Sequence, residues 1–583
     1  MAKKKKRKKE TPKVENTALK ALVNPVNPPL VQFLIVLGLH ALIFDKASLD
    51  PSAPKEIVLA VSLVLWGFVM IALYQGGRKL TFGGMDWALL ATLLATASIE
   101  YIGDTAGCGP LWPTLLILFS LYLMARTLFS TFDTMTICRY LGVFGGVVAL
   151  LNLLLHFFYP LDWHNTVTVA GATVDAKAPG LVGTFSNPNY LAGFLLLSLP
   201  LLVGLFAKGS QAAPGEEPSL LEDRVFLGMA LLFIFIALAM AWCRSVWLVA
   251  VIAVPTAIVI GRRGRDLIHS KKARREQERW DRTWPRVLAL ALVTILPLAA
   301  LGFAAGGGWK LLSTSTLAKR MRIAAVAVTE LKDKPIKGWG AGRFERVYAS
   351  HRPANWRETK YPVSTKYTHN VLIQAWGALG AFGLLLLLYV SLRLISALGE
   401  GLWTRRLPEE EQELVEHRRG RGLLALAAIA FLMDNLFNVT LFVSSTTVLF
   451  VVFVAALAAT KKHGQLTTLD ENAAYRGKVM VGLAIVCLVS IFPRLYENWQ
   501  INKMMSEARH GCPPERLSEL RKATKKRPHW IRFAYDVAGR LAKAKRFEES
   551  LDLYEKVDAR VPGYQEVRTN IAIIKRILSQ RRF

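Results

Sequence analysis

Residues Thr368–Ser396 read THNVLIQAWGALGAFGLLLLLYVSLRLIS, and from Asn370 to Leu392 the run carries no charged side chain. That is long enough for one α-helix to cross a hydrocarbon layer of about 30 Å. Only a helix satisfies its own backbone in lipid, so this stretch fixes the expected class of the chain. Comparable runs lie at 30–44, 56–74, 86–102, 111–129, 138–158, 188–207, 225–242, 246–261, 286–304, 421–437, 440–459 and 478–496. With this one at 370–396 they make thirteen candidate spans. The first is short and the seventh and eighth nearly fuse, which leaves about 12–13. A hydrophobic content of 52% and a positive mean hydropathy agree with an all-α, polytopic transmembrane protein.

A net charge of +30 would suit nucleic acid, but dense basic residues in short loops between apolar spans are first a topology signal. No nucleic-acid partner is expected. The opening MAKKKKRKKE has no apolar core or cleavage site behind it, so residues 1–29 read as a basic cytoplasmic tail that binds anionic lipid. Alternate loops then fall outside the membrane, where the short ones are poor in Lys and Arg. Loops such as GRRGRDLIHSKKARREQERWDR from Gly261 fall inside. An odd number of spans puts the C-terminus outside. Cys108, Cys138, Cys243, Cys487 and Cys512 show no CxxC or zinc-type spacing, so no metal, disulfide framework or cofactor is expected.

One outer loop breaks the charge rule. Residues 305–368 hold thirteen Lys or Arg against four Asp or Glu. A loop of about 60 residues can translocate regardless of charge, yet the excess asks for an anionic ligand. Within it STLAKRMRIAAVAVTELKDKPIKG reads as an amphipathic helix closed by Pro and Gly, with Arg320 and Arg322 in its first turns. Arg forks suit phosphate. A helix lying on anionic headgroups is the competing account.

Three further places bring polar groups to outer helix ends. In GLVGTFSNPNYLAGFLLL, Asn187 or Asn189 can cap the helix that follows and leave its N–H groups for an anion. Arg244, in AMAWCRSVWLVA, stands between two apolar runs and must snorkel or find an anion. His369 opens the tenth span; an imidazole can take a proton from a hydroxyl held within about 3 Å, although a lone His also serves as a cap or core residue. Asp434 and Glu100 are carboxylates in apolar segments, expected to support the site or to pair with an arginine.

After residue 497 the chain turns charged. In AYDVAGRLAKAKRFEESLDLYEKVDARVP, Val537, Ala538, Leu541, Tyr554, Val557 and Pro562 fit a tetratricopeptide (TPR) helix–turn–helix template. Pro528 lies 34 residues before Pro562, the period of that repeat. Residues 497–583 are therefore expected to form an outer helical-repeat domain that binds a protein partner or serves as a lid on the membrane domain 30–496.

The segments GTFSNPNYLAGFLLL, AWCRSVWL, KRMRIAAVAVTELKDKPIKGWGAGRF and THNVLIQAWGALGAFGLLLLL, in that order, resemble the signatures of the O-antigen ligase superfamily, which includes O-antigen ligases, Wzy-type polymerases and protein O-oligosaccharyltransferases. The resemblance covers roughly residues 30–460. It implies a GT-C-like glycosyltransferase of the bacterial inner membrane whose periplasmic loop faces an undecaprenyl-diphosphate-linked glycan donor. It also implies that Arg244 and either Arg320 or Arg322 contact the diphosphate without a metal, while His369 serves the acceptor hydroxyl. The acceptor can be lipid A-core, a growing glycan, a protein or another lipid. The thirteenth span and the repeat domain depart from the ordinary ligase core. A flippase of lipid-linked sugar would need polar groups at mid-membrane depth or paired broken helices; a scaffold presenting the repeat domain is the third reading.

Overall fold

The computed structural model describes residues 28–43, 53–74, 83–102, 112–158, 164–169, 172–177, 180–185, 187–208, 219–262, 316–340, 342–353, 365–403, 412–459, 471–510, 513–526 and 530–581. The chain begins with α1 (Pro28–Leu42), α2 (Ala53–Tyr74), α3 (Gly84–Ile102), α4 (Trp112–Phe129) and α5 (Thr134–Phe158). An antiparallel hairpin follows, β1 (His164–Val169) with β2 (Ala172–Lys177), in the register His164↔Lys177 to Val169↔Ala172. This hairpin is a small addition to an otherwise helical chain, and its alternating Thr and Val favour the extended state. A 3-10 turn at Gly183–Phe185 leads to α6 (Pro188–Lys208), α7 (Ser219–Ala241) and α8 (Arg244–Arg262). Next come α9 (Thr316–Asp333), α10 (Phe344–His351), α11 (Val371–Leu379), α12 (Ala381–Leu402) and α13 (Gln412–Asp434). A second 3-10 turn, Thr440–Phe442, precedes α14 (Ser444–Ala459) and α15 (Glu471–His510), and the chain closes with α16 (Pro514–Lys526), α17 (Ile531–Lys543), α18 (Phe547–Arg560) and α19 (Val567–Arg581).

Among the described residues, α5, α6, α8, α12 and the Val481–Ala508 part of α15 are long and apolar enough to cross a membrane. The predicted spans match helices at α1 to α8 and at α11 to α15. The ninth, 286–304, and the tail 1–27 lie outside the described residues. These segments form an all-α polytopic membrane protein. α6 is buried continuously from Leu191 to Gly204: a helix apolar all round sits inside a bundle rather than at its lipid surface. It packs against α5, α7, α8 and α13, while α12 turns Leu385, Leu388, Leu392 and Ile395 outward.

The predicted span 370–396 is two helices. Gly380 takes φ 65°, and a Cβ there would lie 1.8 Å from the Ile336 carbonyl oxygen. Ala381 N donates to that carbonyl at 3.0 Å, and Trp339 N donates to Gly377 O at 2.7 Å. The 335–340 segment therefore seats on the break between α11 and α12. The amphipathic α9 does not spread its apolar face on headgroups: Ile323, Val326, Ala327 and Leu331 share a core with Trp339, Phe344, Val347 and Tyr348.

The contacts sort helix ends into two sets. Lys55 at the start of α2 donates to Ala41 O (2.8 Å), Thr184 O (3.4 Å) and Ser445 Oγ (2.8 Å). This places the end of α1 and the starts of α2, α6 and α14 together. At the opposite end Lys208 closing α6 pairs with Glu416 (2.9 Å), and Arg421 with Glu400 (2.8 Å). α15 runs unbroken through residues 496–497, where the sequence changes character. Its Leu488, Ile491 and Leu495 are buried in the bundle core. Its Ile501, Met505 and Ala508 are buried in a separate core with α16 to α19. In that second core Val537, Ala538, Leu541, Tyr554 and Val557 are buried and Pro562 is exposed; Pro528 lies outside the described residues.

Candidate active site

Six chain segments meet at the end marked by Lys55. The floor is the C-terminal turn of α13. Asp434 is fully buried; its Oδ1 accepts from Asn438 Nδ2 at 2.7 Å and its Oδ2 from Thr440 Oγ1 at 3.3 Å. Asn438 and Asp434 both engage Ser245 in the first turn of α8, with Asn438 Nδ2 at 2.6 Å from Ser245 Oγ. Asn435 Nδ2 donates to Thr440 Oγ1 at 2.8 Å, and its Oδ1 accepts from Leu441 N at 2.7 Å. A buried carboxylate is tolerable when its lone pairs are filled in this way. The same network fixes the α13–α14 connection, and α6 abuts it where Gly193 faces Thr440.

Asn370 ties the His369 segment to this floor. Its Oδ1 accepts from Leu372 N (2.9 Å) and Ile373 N (3.1 Å), which makes it the N-cap of α11, and its Nδ2 donates to Leu436 O at 3.1 Å. Val371 N donates to Asn435 O at 2.9 Å. On the other side Tyr367 stacks on Phe442 with ring centroids 5.2 Å apart, and Thr368 N donates to Gln374 Oε1 at 3.0 Å. His369 between these anchors has φ 57°. A positive φ costs a non-glycine residue about 1–2 kcal/mol, comparable with the ~1 kcal/mol of the cap beside it. The segment can therefore hold the imidazole in a posture it would not choose alone.

Beside His369 stands Arg320. Its Nη1 donates to Phe437 O, while its Nε is buried without a hydrogen-bond partner. The Nδ1 of His369 is likewise buried and unpaired. Burial first, and the Arg320 charge second, lower the His369 pKa to about 4, so near neutral pH the ring is a neutral base. Burial also lowers the Arg320 pKa, opposed by the nearby Asp434 carboxylate. Unpaired buried nitrogens are uncommon and mark a place where a ligand can complete the hydrogen bonding.

The structure separates the two arginine candidates of α9. Residues two apart on an α-helix differ by about 200°, so Arg320 faces the site and Arg322 sits half-buried on another side. Arg244 is exposed at the first position of α8; its neighbours Cys243 and Ser245 touch the site, but its own guanidinium is not drawn onto the Asp434 network. Asn187 is the cap of α6, accepting from Asn189 N at 2.9 Å. Asn189 is in the first turn, next to Tyr190, whose hydroxyl acts electrostatically on Arg320. The side chain of Glu100 lies outside the described residues. Sequence reading missed Ser245, Asn370, Asn438 and Thr440. The spacing of Asp434 and Asn438, one helical turn apart, and an asparagine just before the apolar run at 371 were the available signals.

A group that develops positive charge on taking a proton, set beside a fixed cation with spare donor capacity, can activate a hydroxyl while stabilising an anion. Among the described residues no three His, Cys, Asp or Glu side chains group as a metal site would need. No curated protein matches the chain. A family model described as O-Antigen ligase matches residues 229–388, and the chain is similar to that family over this segment, which carries Arg244, Arg320, Arg322 and His369.

Proposed function

We propose that this protein transfers a glycan from a polyprenyl-diphosphate carrier, of the undecaprenyl type, to an acceptor hydroxyl at the outer face of a bacterial inner membrane. The family match supports glycosyltransferase-like ligase or polymerase chemistry in a membrane. The observation that carries the finer reading is the pairing of His369 with Arg320, each with a buried nitrogen lacking a protein partner. His369 takes the acceptor proton as the hydroxyl attacks the anomeric carbon with inversion. Arg320 neutralises the departing diphosphate, and Arg244, on the rim between two site residues, and Arg322, on another side of α9, add to the positive field around the lipid-linked group. Positive side chains take the place of a metal at the leaving group. Asp434, with Asn438 and Thr440, holds the floor in register; Asn187 shapes the start of α6 and Asn189 lies in its first turn. The basic loop and the C-terminal helices then lie on the periplasmic side, as the alternation of spans requires.

The test is reconstitution in vesicles with undecaprenyl-diphosphate oligosaccharide and lipid A-core as acceptor, with products read by mass. One glycan joined to the lipid core is the expected ligase product. A lengthening ladder on the carrier would make the enzyme a polymerase, transfer to a protein hydroxyl would make it a protein glycosyltransferase, and carrier movement without new bonds would replace the reading by transport.

A further inference from the structure

α10 is two-faced. Phe344, Val347 and Tyr348 are buried against α9, and His351 Nε2 lies 2.9 Å from Glu330 Oε2 of α9. The opposite stripe, Glu345, Ala349 and Arg352, follows the spacing of one helix face and meets the C-terminal helices. Tyr564 Oη donates to Glu345 Oε1 at 3.1 Å. Arg352 Nη2 donates to Gly563 O at 2.9 Å and also to Gln565 O. Ala349 is buried in the C-terminal core itself. The turn that receives Arg352 is built to present carbonyls: Gly563 and Gln565 both have positive φ, and Gly563 N donates to Asp558 Oδ1 at 2.8 Å.

We infer that the docking partner of the C-terminal helical domain is this chain's own loop helix α10, and that this intramolecular interface holds α9, and so Arg320, over the active site. The load path is closed. α15 fastens the C-terminal core to the bundle through one continuous helix, the α18–α19 turn grips α10, α10 grips the far end of α9 at Glu330, and Arg320 near the start of α9 reaches the bundle at Phe437 O. Ten residues of helix between Arg320 and Glu330 span about 15 Å, so a small tilt at α10 displaces the guanidinium. Arg352 and Tyr564 are positioning residues. A second protein at the 561–566 turn would have to displace α10. The interface stands on geometry alone; its effect on transfer rests on the function proposed above.

The experiment uses the full-length protein in nanodiscs and compares wild type with Arg352→Ala, Arg352→Lys and Tyr564→Phe by hydrogen exchange and by transfer kinetics. In Arg352→Ala, exchange across residues 316–351 is expected to rise at least tenfold while α17 and α18 keep their protection. The same variant should lose about tenfold in kcat with a smaller change in the acceptor KM. Tyr564→Phe keeps the ring and should fall between it and wild type, and Arg352→Lys should recover part of the protection. Unchanged exchange over 316–351 in Arg352→Ala, with the C-terminal helices still protected, would overturn the inference. Raised exchange in a protein that performs no transfer even as wild type would leave the interface standing and remove the functional reading instead.

Discussion

At the end of the bundle away from His369, cations are matched to carboxylates. Arg126 pairs with Asp86 at 2.6 Å, Lys208 with Glu416 at 2.9 Å and Arg421 with Glu400 at 2.8 Å, and Tyr122 adds a second bond to Asp86 at 2.8 Å. At the His369 end two cations donate to neutral oxygens, Arg320 to the Phe437 carbonyl and Lys55 to two carbonyls and a hydroxyl, and the Asp434 carboxylate acts on Arg320 electrostatically. The nearest carboxylate, Asp434, already accepts from Asn438 and Thr440. A matched pair cancels its own field and serves folding, whereas a cation on a carbonyl keeps its charge for an anion. The same residue types are thus partnered differently at the two ends, and under the proposed function the partner decides their work.

The widest separation between the ends is expected from His369→Ala, which should lower kcat about 10³-fold, within the usual range for losing a general base. Membrane yield and melting should stay those of wild type; transfer at the wild-type rate would remove the base from the scheme. Arg320→Ala is expected to cost about 10²-fold, the scale of one lost charge-stabilising donor. Arg322→Ala, on another side of α9, should cost under about tenfold, and equal losses in both variants would erase the distinction drawn between them.

Asp86→Ala probes the other end. Breaking a buried pair takes its carboxylate from Arg126 and should destabilise the fold by about 3 kcal/mol, measured as a fall in melting temperature in detergent, while the surviving folded enzyme keeps its kcat. A selective loss of turnover without loss of stability would contradict a purely structural role for the end away from His369.

The smallest effect concerns pH. The His369 pKa near 4 predicts that kcat/KM falls as the medium is acidified through about pH 4, not through the ordinary imidazole range near 6.5. Arg320 contributes to that lowering, so Arg320→Gln should shift the acid limb upward, still below 6.5 because burial is the larger cause. Bound diphosphate should shift the kcat limb in the same direction. An acid limb already at 6.5 in the wild type would mean that the imidazole is solvated during the reaction.

The bundle was legible because long uncharged runs have only one way to exist in lipid: most runs begin and end within about six residues of the observed helices, while α13 begins nine residues before 421, α15 runs fourteen past 496, and 286–304 lies outside the described residues. The exceptions have local causes. The break in 370–396 arises because the Ile336 carbonyl occupies the space where any side chain at Gly380 would stand, and the partner that makes this glycine a boundary lies more than forty residues upstream. α9 was recognisable as amphipathic, yet its pattern alone could not say whether the apolar face met headgroups or Trp339 and Phe344. His369 and the α9 arginines were visible as residue types; Ser245, Asn438 and Thr440 were not, since a serine or asparagine at a helix end is ordinary until a buried carboxylate is found beside it.

What this sequence determined by itself was the medium, the helical class, the alternation of ends and the surplus of positive charge in one loop. Each of these follows from composition and period along a single stretch of chain. What the tertiary structure decided was which oxygens each cation meets, which arginine of α9 faces His369, and that the C-terminal helices close onto the loop through α10. Those depend on groups hundreds of residues apart meeting within about 3 Å, where hydrogen bonding and burial rather than pattern set the outcome.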